Sequence, residues 1–126
     1  MRKIFKIDED GFIRAKHATK LDNMISILQN GLLIMDKSSD FGHEPEKKGI
    51  YFFIDSNETV IEGFKELGDD FCIIDFLIPA SDIDKVVADE DSQEINFIRS
   101  LSEYGTACYQ KEVKPEMIVS VSIYRL

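Results

Sequence analysis

The alternation of apolar and polar residues along the 126-residue chain predicts a mixed α+β domain. Phe71 to Ile78 is apolar apart from Asp75, a pattern typical of a strand buried on both faces. In Met117 to Tyr124, apolar residues alternate with serines, so we expect one face of that strand to be wet. The predicted strands are Gly11 to His17, Gly49 to Ile54, Phe71 to Ile78, Thr106 to Val113 and Met117 to Tyr124.

Apolar residues first show helical spacing just after His17. Thr19 is expected to cap this helix with Asp22 as its capping-box partner, and Gly31 is expected to end it. A buried apolar stripe at positions i, i+3, i+4 and i+7 is formed by Leu21, Met24, Ile25 and Leu28.

Two further helices are predicted. The second runs from a cap at Ser56 to an end at Gly68, and a short third helix ends at Gly105. The apolar face of the second helix is formed by Val60, Ile61, Phe64 and Leu67. The apolar positions of the third are Ile95, Ile98 and Leu101.

The segments between these elements are polar or acidic. Met35 to Lys48 reads as a loop, and Pro79 to Ser92 reads as an irregular segment with a turn near Asp82. Its carboxylates lack the spacing of a helix-loop-helix calcium site, so we expect a solvated face. These carboxylates belong to Asp82, Asp84, Asp89, Glu90 and Asp91.

Size and charge narrow the class of protein. We expect residues 1–126 to form a single domain, with no membrane span, no secretion signal and a cytoplasmic location. Cys72 and Cys108 lie in strand-like runs without CxxC spacing, so buried thiols are favoured over a disulfide. The net charge of −9 disfavours nucleic acid as a partner and suits a basic protein surface.

Two segments carry the candidate chemistry. The first is Lys16-His17-Ala18-Thr19, which leads directly into the first helix, and the second is Lys48-Gly49-Ile50-Tyr51-Phe52-Phe53. In this order and spacing they resemble the nicotinamide-binding half of the ADP-ribosyltransferase superfamily, in its poly-ADP-ribose polymerase and diphtheria-toxin branch. That branch has a His-Tyr-Glu pattern, and the resemblance covers residues 12 to 66.

The resemblance implies a split β-sheet core with two or three short helices and NAD as co-substrate. In the family the residue matching His17 contacts the nicotinamide ribose, the one matching Ala18 clasps the carboxamide, and the one matching Tyr51 stacks on the ring. Thr19 can donate to the ligand as well. Family members often carry a second aromatic on the following helix, where Phe64 is the nearest candidate.

The third member of the pattern is a glutamate at the start of the penultimate strand. Glu103 is the first choice for it and Glu112 the fallback. If neither carboxylate reaches the ribose, Thr106 or Gln110 occupies the place. The family's glutamate holds the ribose 2′-hydroxyl and stabilises the oxocarbenium-like transition state.

The leading hypothesis is therefore a mono-ADP-ribosyltransferase that acts on a protein. A binding or inhibitor protein that keeps the fold without the chemistry is the alternative. An RNA 2′-phosphotransferase is the third, although the four arginines are scattered along the chain. No metal site is expected, because His17 and His43 lack two further ligands nearby.

Overall fold

The computed structural model describes residues 7–34, 49–54, 58–88 and 97–125, with the backbone alone for 59, 60, 99 and 102–104. This part of the chain is α+β, as predicted. Its strands are β1 (Phe12–Lys20), β2 (Ile50–Phe52), β3 (Phe71–Pro79), β4 (Val86–Ala88), β5 (Ala107–Tyr109) and β6 (Ile118–Tyr124). Its α-helices are α1 (Met24–Asn30), α2 (Glu58–Leu67) and α3 (Phe97–Tyr104). Turns of 3-10 helix occupy Leu21–Asn23, Ala80–Lys85 and Pro115–Met117.

The strands form two antiparallel sheets of three strands each. One sheet has the order β1-β3-β6 and the other β2-β5-β4. The two sheets meet at a single backbone bridge between Lys16 of β1 and Phe53, the residue after β2. The Lys16 N–H donates to the Phe53 carbonyl at 2.8 Å, and the Phe53 N–H donates to the Lys16 carbonyl at 2.9 Å.

The central strand β3 supplies both sides of the core, which confirms the expectation of a strand buried on both faces. Ile74 and Phe76 belong to the larger core cluster, which also takes side chains from β1, β2 and β5. Phe71 and Ile73 belong to a smaller cluster under α2, where the fully buried Phe64 stacks on Phe71 with ring centroids 5.1 Å apart. Aromatic packing of this kind adds to area burial.

The start of the first helix differs from the prediction. Thr19 does not cap a helix: it lies within β1, pairs with Cys72 of β3 and is buried. Lys20 precedes the 3-10 turn instead, with no side-chain cap, and the Asn23 amide donates to Thr19 Oγ1 at 2.9 Å. Strand pairing with β3 thus overrides the local capping preference of threonine.

The predicted apolar stripe of that helix is also partly wrong. Ile25 and Leu28 are 60% and 45% exposed, whereas Ile27 is buried. Leu21 lies in a 3-10 turn, which has three residues per turn, so the 3.6-residue spacing counted from Leu21 loses phase before α1 begins. Leu21 and Met24 still pack against the core.

The acidic segment after β3 is more ordered than predicted. Ala80–Lys85 forms a 3-10 turn, and Val86–Ala88 forms β4, a strand that the sequence did not suggest. Asp82 was expected on a solvated face but is buried. Met35 to Lys48, with His43, and the residues Ser56, Asp89, Glu90, Asp91 and Ile95 lie outside the described residues.

The predicted helix ends and buried thiols agree with the structure, whereas the predicted strand bounds differ: β1 continues to Lys20, and β5 ends at Tyr109. Helices α1, α2 and α3 are followed by Gly31, Gly68 and Gly105, as expected. Cys72 and Cys108 are both buried thiols, and burial raises the pKa of Cys72 to about 11. Among the described helices, none has the length and apolar character needed to cross a bilayer.

Candidate functional site

The candidate site lies where β1 and β2 separate. After the Lys16–Phe53 bridge, an antiparallel register would next bring Ala18 opposite Tyr51. The ladder does not continue, because no second bridge joins β1 to β2 within the described ranges. An opening between the two strands therefore begins at Ala18 of the first sequence motif and Tyr51 of the second.

The His17 side chain spans this opening. Its Nδ1 atom lies 2.6 Å from the backbone carbonyl oxygen of Tyr51. A carbonyl oxygen only accepts hydrogen bonds, so Nδ1 carries the proton and donates it. In the neutral ring, Nε2 is then the acceptor nitrogen. The structure thus brings His17 and Tyr51 together, which the motif spacing suggested, but through a ring-to-backbone bond that the sequence did not suggest.

The peptide groups of Ala18 face the same opening. The N–H and C=O groups of successive strand residues point alternately to the two sides of the strand. Since those of Lys16 bond to Phe53, those of Ala18 point to the same side of β1, away from β3. Ala18 therefore presents one donor and one acceptor beside the His17 ring.

The side chain of Tyr51 is partly exposed, as expected of a residue that lines the site. Along β2, Ile50 and Phe52 are 4% and 2% exposed, whereas Tyr51 is half-buried. This confirms the predicted alternation, in which Tyr51 faces away from its two buried neighbours. Tyr51 pairs with Cys108 of β5. Its role in stacking on a ring stays a prediction.

The structure separates the two candidate glutamates. β5 runs from Ala107, opposite Phe52, to Tyr109, opposite Ile50, so the chain entering β5 lies at the Lys16–Phe53 end. Glu103 is in the last turn of α3, on that entering side, and its side chain lies outside the described atoms.

Glu112 follows β5 at the other end of the strand. It is exposed, and its Oε2 accepts the Ile34 N–H at 2.9 Å. Of the other two candidates, Gln110 is exposed with its N–H bonded to the Lys85 carbonyl. The carbonyl of Thr106 accepts a hydrogen bond from the buried Ser100 hydroxyl at 2.6 Å, which ties α3 to the start of β5.

Thr19 and Phe64, the remaining residues predicted to contact the ligand, have buried side chains in this structure. Thr19 is 4% exposed and accepts the Asn23 amide, and Phe64 is fully buried under α2. Both side chains serve the packing of β1 and β3. The described geometry brings His17, Ala18 and Tyr51 together, and the assignment of Glu103 stays a prediction.

A second polar cluster links the 3-10 turn after β3 to β5. The buried Tyr109 hydroxyl donates to Asp82 Oδ2 at 2.7 Å, and Lys111 Nζ donates to the same oxygen at 3.2 Å. Lys85 Nζ lies 3.6 Å from Asp82 Oδ1. The Tyr109 bond and the two ammonium groups hold the pKa of Asp82 below its ordinary value, against the effect of burial. Burial and the Asp82 carboxylate raise the pKa of Tyr109.

This cluster makes folding stability depend on pH. A lowered folded-state pKa means that Asp82 stabilises the fold above its unfolded pKa of about 3.9, and that this contribution is lost as the pH falls through the folded value. We expect Asp82→Asn to lower the free energy of unfolding by about 1–3 kcal/mol at pH 7.

The difference between Asp82→Asn and wild type should shrink below about pH 4, which urea unfolding at pH 7 and pH 3 would measure. Asp84→Asn is the matched control, because Asp84 lies two residues from Asp82 in the same 3-10 turn and its side chain is 76% exposed. Equal losses for the two variants would contradict the expected role of Asp82.

Comparison with models of protein families, with curated proteins and with solved structures finds no match for this chain. The described residues also contain no group of three or more histidine, cysteine or carboxylate side chains placed to hold a metal ion.

Proposed function

We propose that this chain is an NAD-dependent mono-ADP-ribosyltransferase that binds nicotinamide at the opening between β1 and β2. The observation that supports it most is the position of the Ala18 peptide edge beside the His17–Tyr51 hydrogen bond. Two three-stranded sheets that meet at one bridge are also compatible with the split sheet that the sequence resemblance implies.

The chemistry of the opening suits a primary carboxamide. The Ala18 N–H would donate to the carboxamide oxygen, and the Ala18 carbonyl would accept from its NH2 group. The alanine side chain adds little bulk beside these two groups. The half-buried Tyr51 ring would supply a flat apolar surface for the pyridine ring, and His17 Nε2 would accept from a ribose hydroxyl.

The reaction would break the bond between the nicotinamide nitrogen and the ribose C1′. Nicotinamide leaves as a neutral molecule with the bonding electron pair, and positive charge develops on the ribose. A nucleophile of the acceptor then forms the new bond to C1′ and loses its proton. A carboxylate near the ribose stabilises this charge, and we assign that role to Glu103 because it precedes β5 at the end nearest the bridge.

The acceptor in this proposal is a protein. The chain carries 24 acidic and 15 basic residues, so its surface favours approach of a basic partner over a phosphate backbone. The structure describes the side chains of two of the four arginines, Arg14 and Arg125. Both are exposed, and the Arg125 guanidinium lies 3.9 Å from the Asp70 carboxylate. This arrangement does not favour RNA 2′-phosphotransfer.

Binding of NAD tests the site directly. Calorimetric titration of the wild type should give a saturable heat, and His17→Ala should weaken binding at least about tenfold, or ~1.4 kcal/mol. Arg14→Ala is the control, because Arg14 is exposed on the same strand. Absence of NAD binding by the wild type, with His17→Ala affecting only thermal stability, would show that His17 is a structural bridge between the strands.

Transfer of the ADP-ribose group from NAD to a protein tests the chemistry. With labelled NAD and a cell lysate, the wild type should label protein, and Glu103→Gln should abolish the label. Glu112→Gln is the matched control and should keep activity, because that carboxylate is held by the Ile34 N–H. Loss of activity in Glu112→Gln alone would reverse the assignment.

A binding protein without the chemistry is the second candidate. The stretch from Gly105 to Lys111 contains no acidic residue, so β5 itself offers no carboxylate. NAD binding without nicotinamide release over hours, in both the wild type and Glu103→Gln, would support this candidate over the transferase.

A further inference from the structure

β6 is an outer strand without charged residues. Its sequence, Ile-Val-Ser-Val-Ser-Ile-Tyr, pairs only with β3 among the described residues. The side chains of Val119, Ile123 and Tyr124 are 43%, 49% and 39% exposed. An outer strand presents a row of backbone donors and acceptors, and proteins usually protect such a row with lysine, proline or a covering segment. The chain as a whole carries a net charge of −9, so the neutrality of this strand is a local feature.

The strand is chemically symmetric about Val121. Moving outward from Val121, the next residues are Ser120 and Ser122, followed by Val119 and Ile123. A two-fold axis through Val121 in an antiparallel pair would therefore place serine opposite serine and an aliphatic residue opposite an aliphatic residue. A two-fold interface requires this self-complementarity, because each surface meets its own copy.

The charges at the two ends of the strand are opposite in sign. In this register Met117 of one copy lies opposite Arg125 of the other, which places Glu116 one residue away from that arginine. Glu116 is exposed, and the Arg125 side chain is 73% exposed. Neighbouring residues of a strand point to opposite faces, so this register gives no direct Glu116–Arg125 pair. The two-fold axis still places one acidic and one basic group near each other at both ends, and their attraction favours approach of the two copies.

We propose that the chain forms a two-fold dimer by antiparallel pairing of β6 with β6 of a second copy. The β1-β3-β6 sheets of the two copies would join into one six-stranded sheet, and the two-fold axis limits the assembly to two chains. A register shift between Asp75 and Phe76 leaves Val119 as an extra residue in β6, and such a bulge limits the length of regular pairing. The contact is therefore short, and we expect a dissociation constant in the micromolar range, on the order of 10 µM.

Sedimentation velocity on the full 126-residue chain would test this. The mass should rise with concentration from the 14.4 kDa of one chain toward that of two. The double variant Ser120→Lys/Ser122→Lys should raise the dissociation constant at least about tenfold, because like charges would face each other across the axis. The double variant Ser120→Glu/Ser122→Glu should do the same.

An equimolar mixture of these two variants should restore dimers, since opposite charges would then meet. This rescue also shows that both variants fold. Gln29→Lys/Ser81→Lys is the control: both residues are exposed outside β6, and the charge change is the same. A single-chain mass at every concentration, or a wild-type dimer that neither serine variant weakens, would overturn the proposal. If a complex forms only after a basic protein is added, the proposal would be overturned as well.

Discussion

Gly31→Ala is expected to lower the free energy of unfolding by about 3–4 kcal/mol, with Gly68→Ala losing only about 1–2 kcal/mol. Both glycines have positive φ, at 83° for Gly31 and 76° for Gly68. Gly31 also has a ψ of −172°, in a region of backbone conformation that is essentially restricted to glycine.

The two positions differ in what a methyl group would meet. A Cβ at Gly31 would overlap the carbonyl oxygen of Val113 and lie 3.0 Å from its carbon, whereas one at Gly68 would meet nothing within 4 Å. The same carbonyl accepts the Leu32 N–H at 2.8 Å, and the Val113 N–H donates back at 2.9 Å. Backbone atoms cannot swing aside as a side chain does, so the bridge between Leu32 and Val113 would have to open.

Urea unfolding of the two variants would measure the difference, because both share positive φ, and Gly31→Ala adds the clash and the strain of its ψ. Equal losses would mean that the segment around Leu32 moves away from Val113 at little cost. The bridge would then contribute little to the attachment of α1 to the rest of the domain.

Phe52→Ala is expected to cost about 3–5 kcal/mol of folding stability, which is the scale of a large aromatic truncation in a core. Phe52 is 2% exposed and packs edge-on against Phe76, with ring centroids 6.4 Å apart and an angle of 83° between the rings. The neighbouring Tyr51→Ala should cost less, because the Tyr51 ring is half-buried and points to the other side of β2.

Comparison of Tyr51→Ala with Phe52→Ala also shows whether Tyr51 contributes to NAD binding or to the folded core. If Tyr51 stacks on nicotinamide, Tyr51→Ala should weaken NAD binding by about 1–3 kcal/mol while thermal melts show only a modest loss. Tyr51→Phe, which keeps the ring, should bind NAD nearly as the wild type does. A larger stability loss for Tyr51→Ala than for Phe52→Ala, with NAD binding intact, would refute the site.

The candidate site was only partly predictable from sequence. The resemblance implied that His17 and Tyr51 lie near each other, and alternation along the strand predicted that Tyr51 faces away from its buried neighbours. The hydrogen bond from the His17 ring to the Tyr51 carbonyl could not be foreseen, because it depends on where β1 and β2 diverge. The same divergence determines that the Ala18 peptide faces an opening.

Asp82 and β4 show why other features were missed. Asp82 stands in an acidic segment, and its neighbours in sequence give no sign of the Tyr109 hydroxyl, which comes from a strand 27 residues later. Val86–Ala88 is too short to show a periodic pattern, and it becomes a strand because β5 pairs with it. Partners distant in sequence decide both features.

Features with a local cause could be predicted from the sequence. The continuous apolar run specifies β3 as a strand covered on both faces, and the glycines at 31 and 68 end their helices because positive φ suits a residue without Cβ. The tertiary structure alone decided that Thr19 stays in β1, that Ile25 and Leu28 face outward, and that β1 and β2 part beyond one bridge. Thr19 stays in β1 because pairing with β3 outweighs the fraction of a kcal/mol that separates local preferences. Ile25 and Leu28 face outward because the 3-10 turn before α1 shifts the phase of the helix.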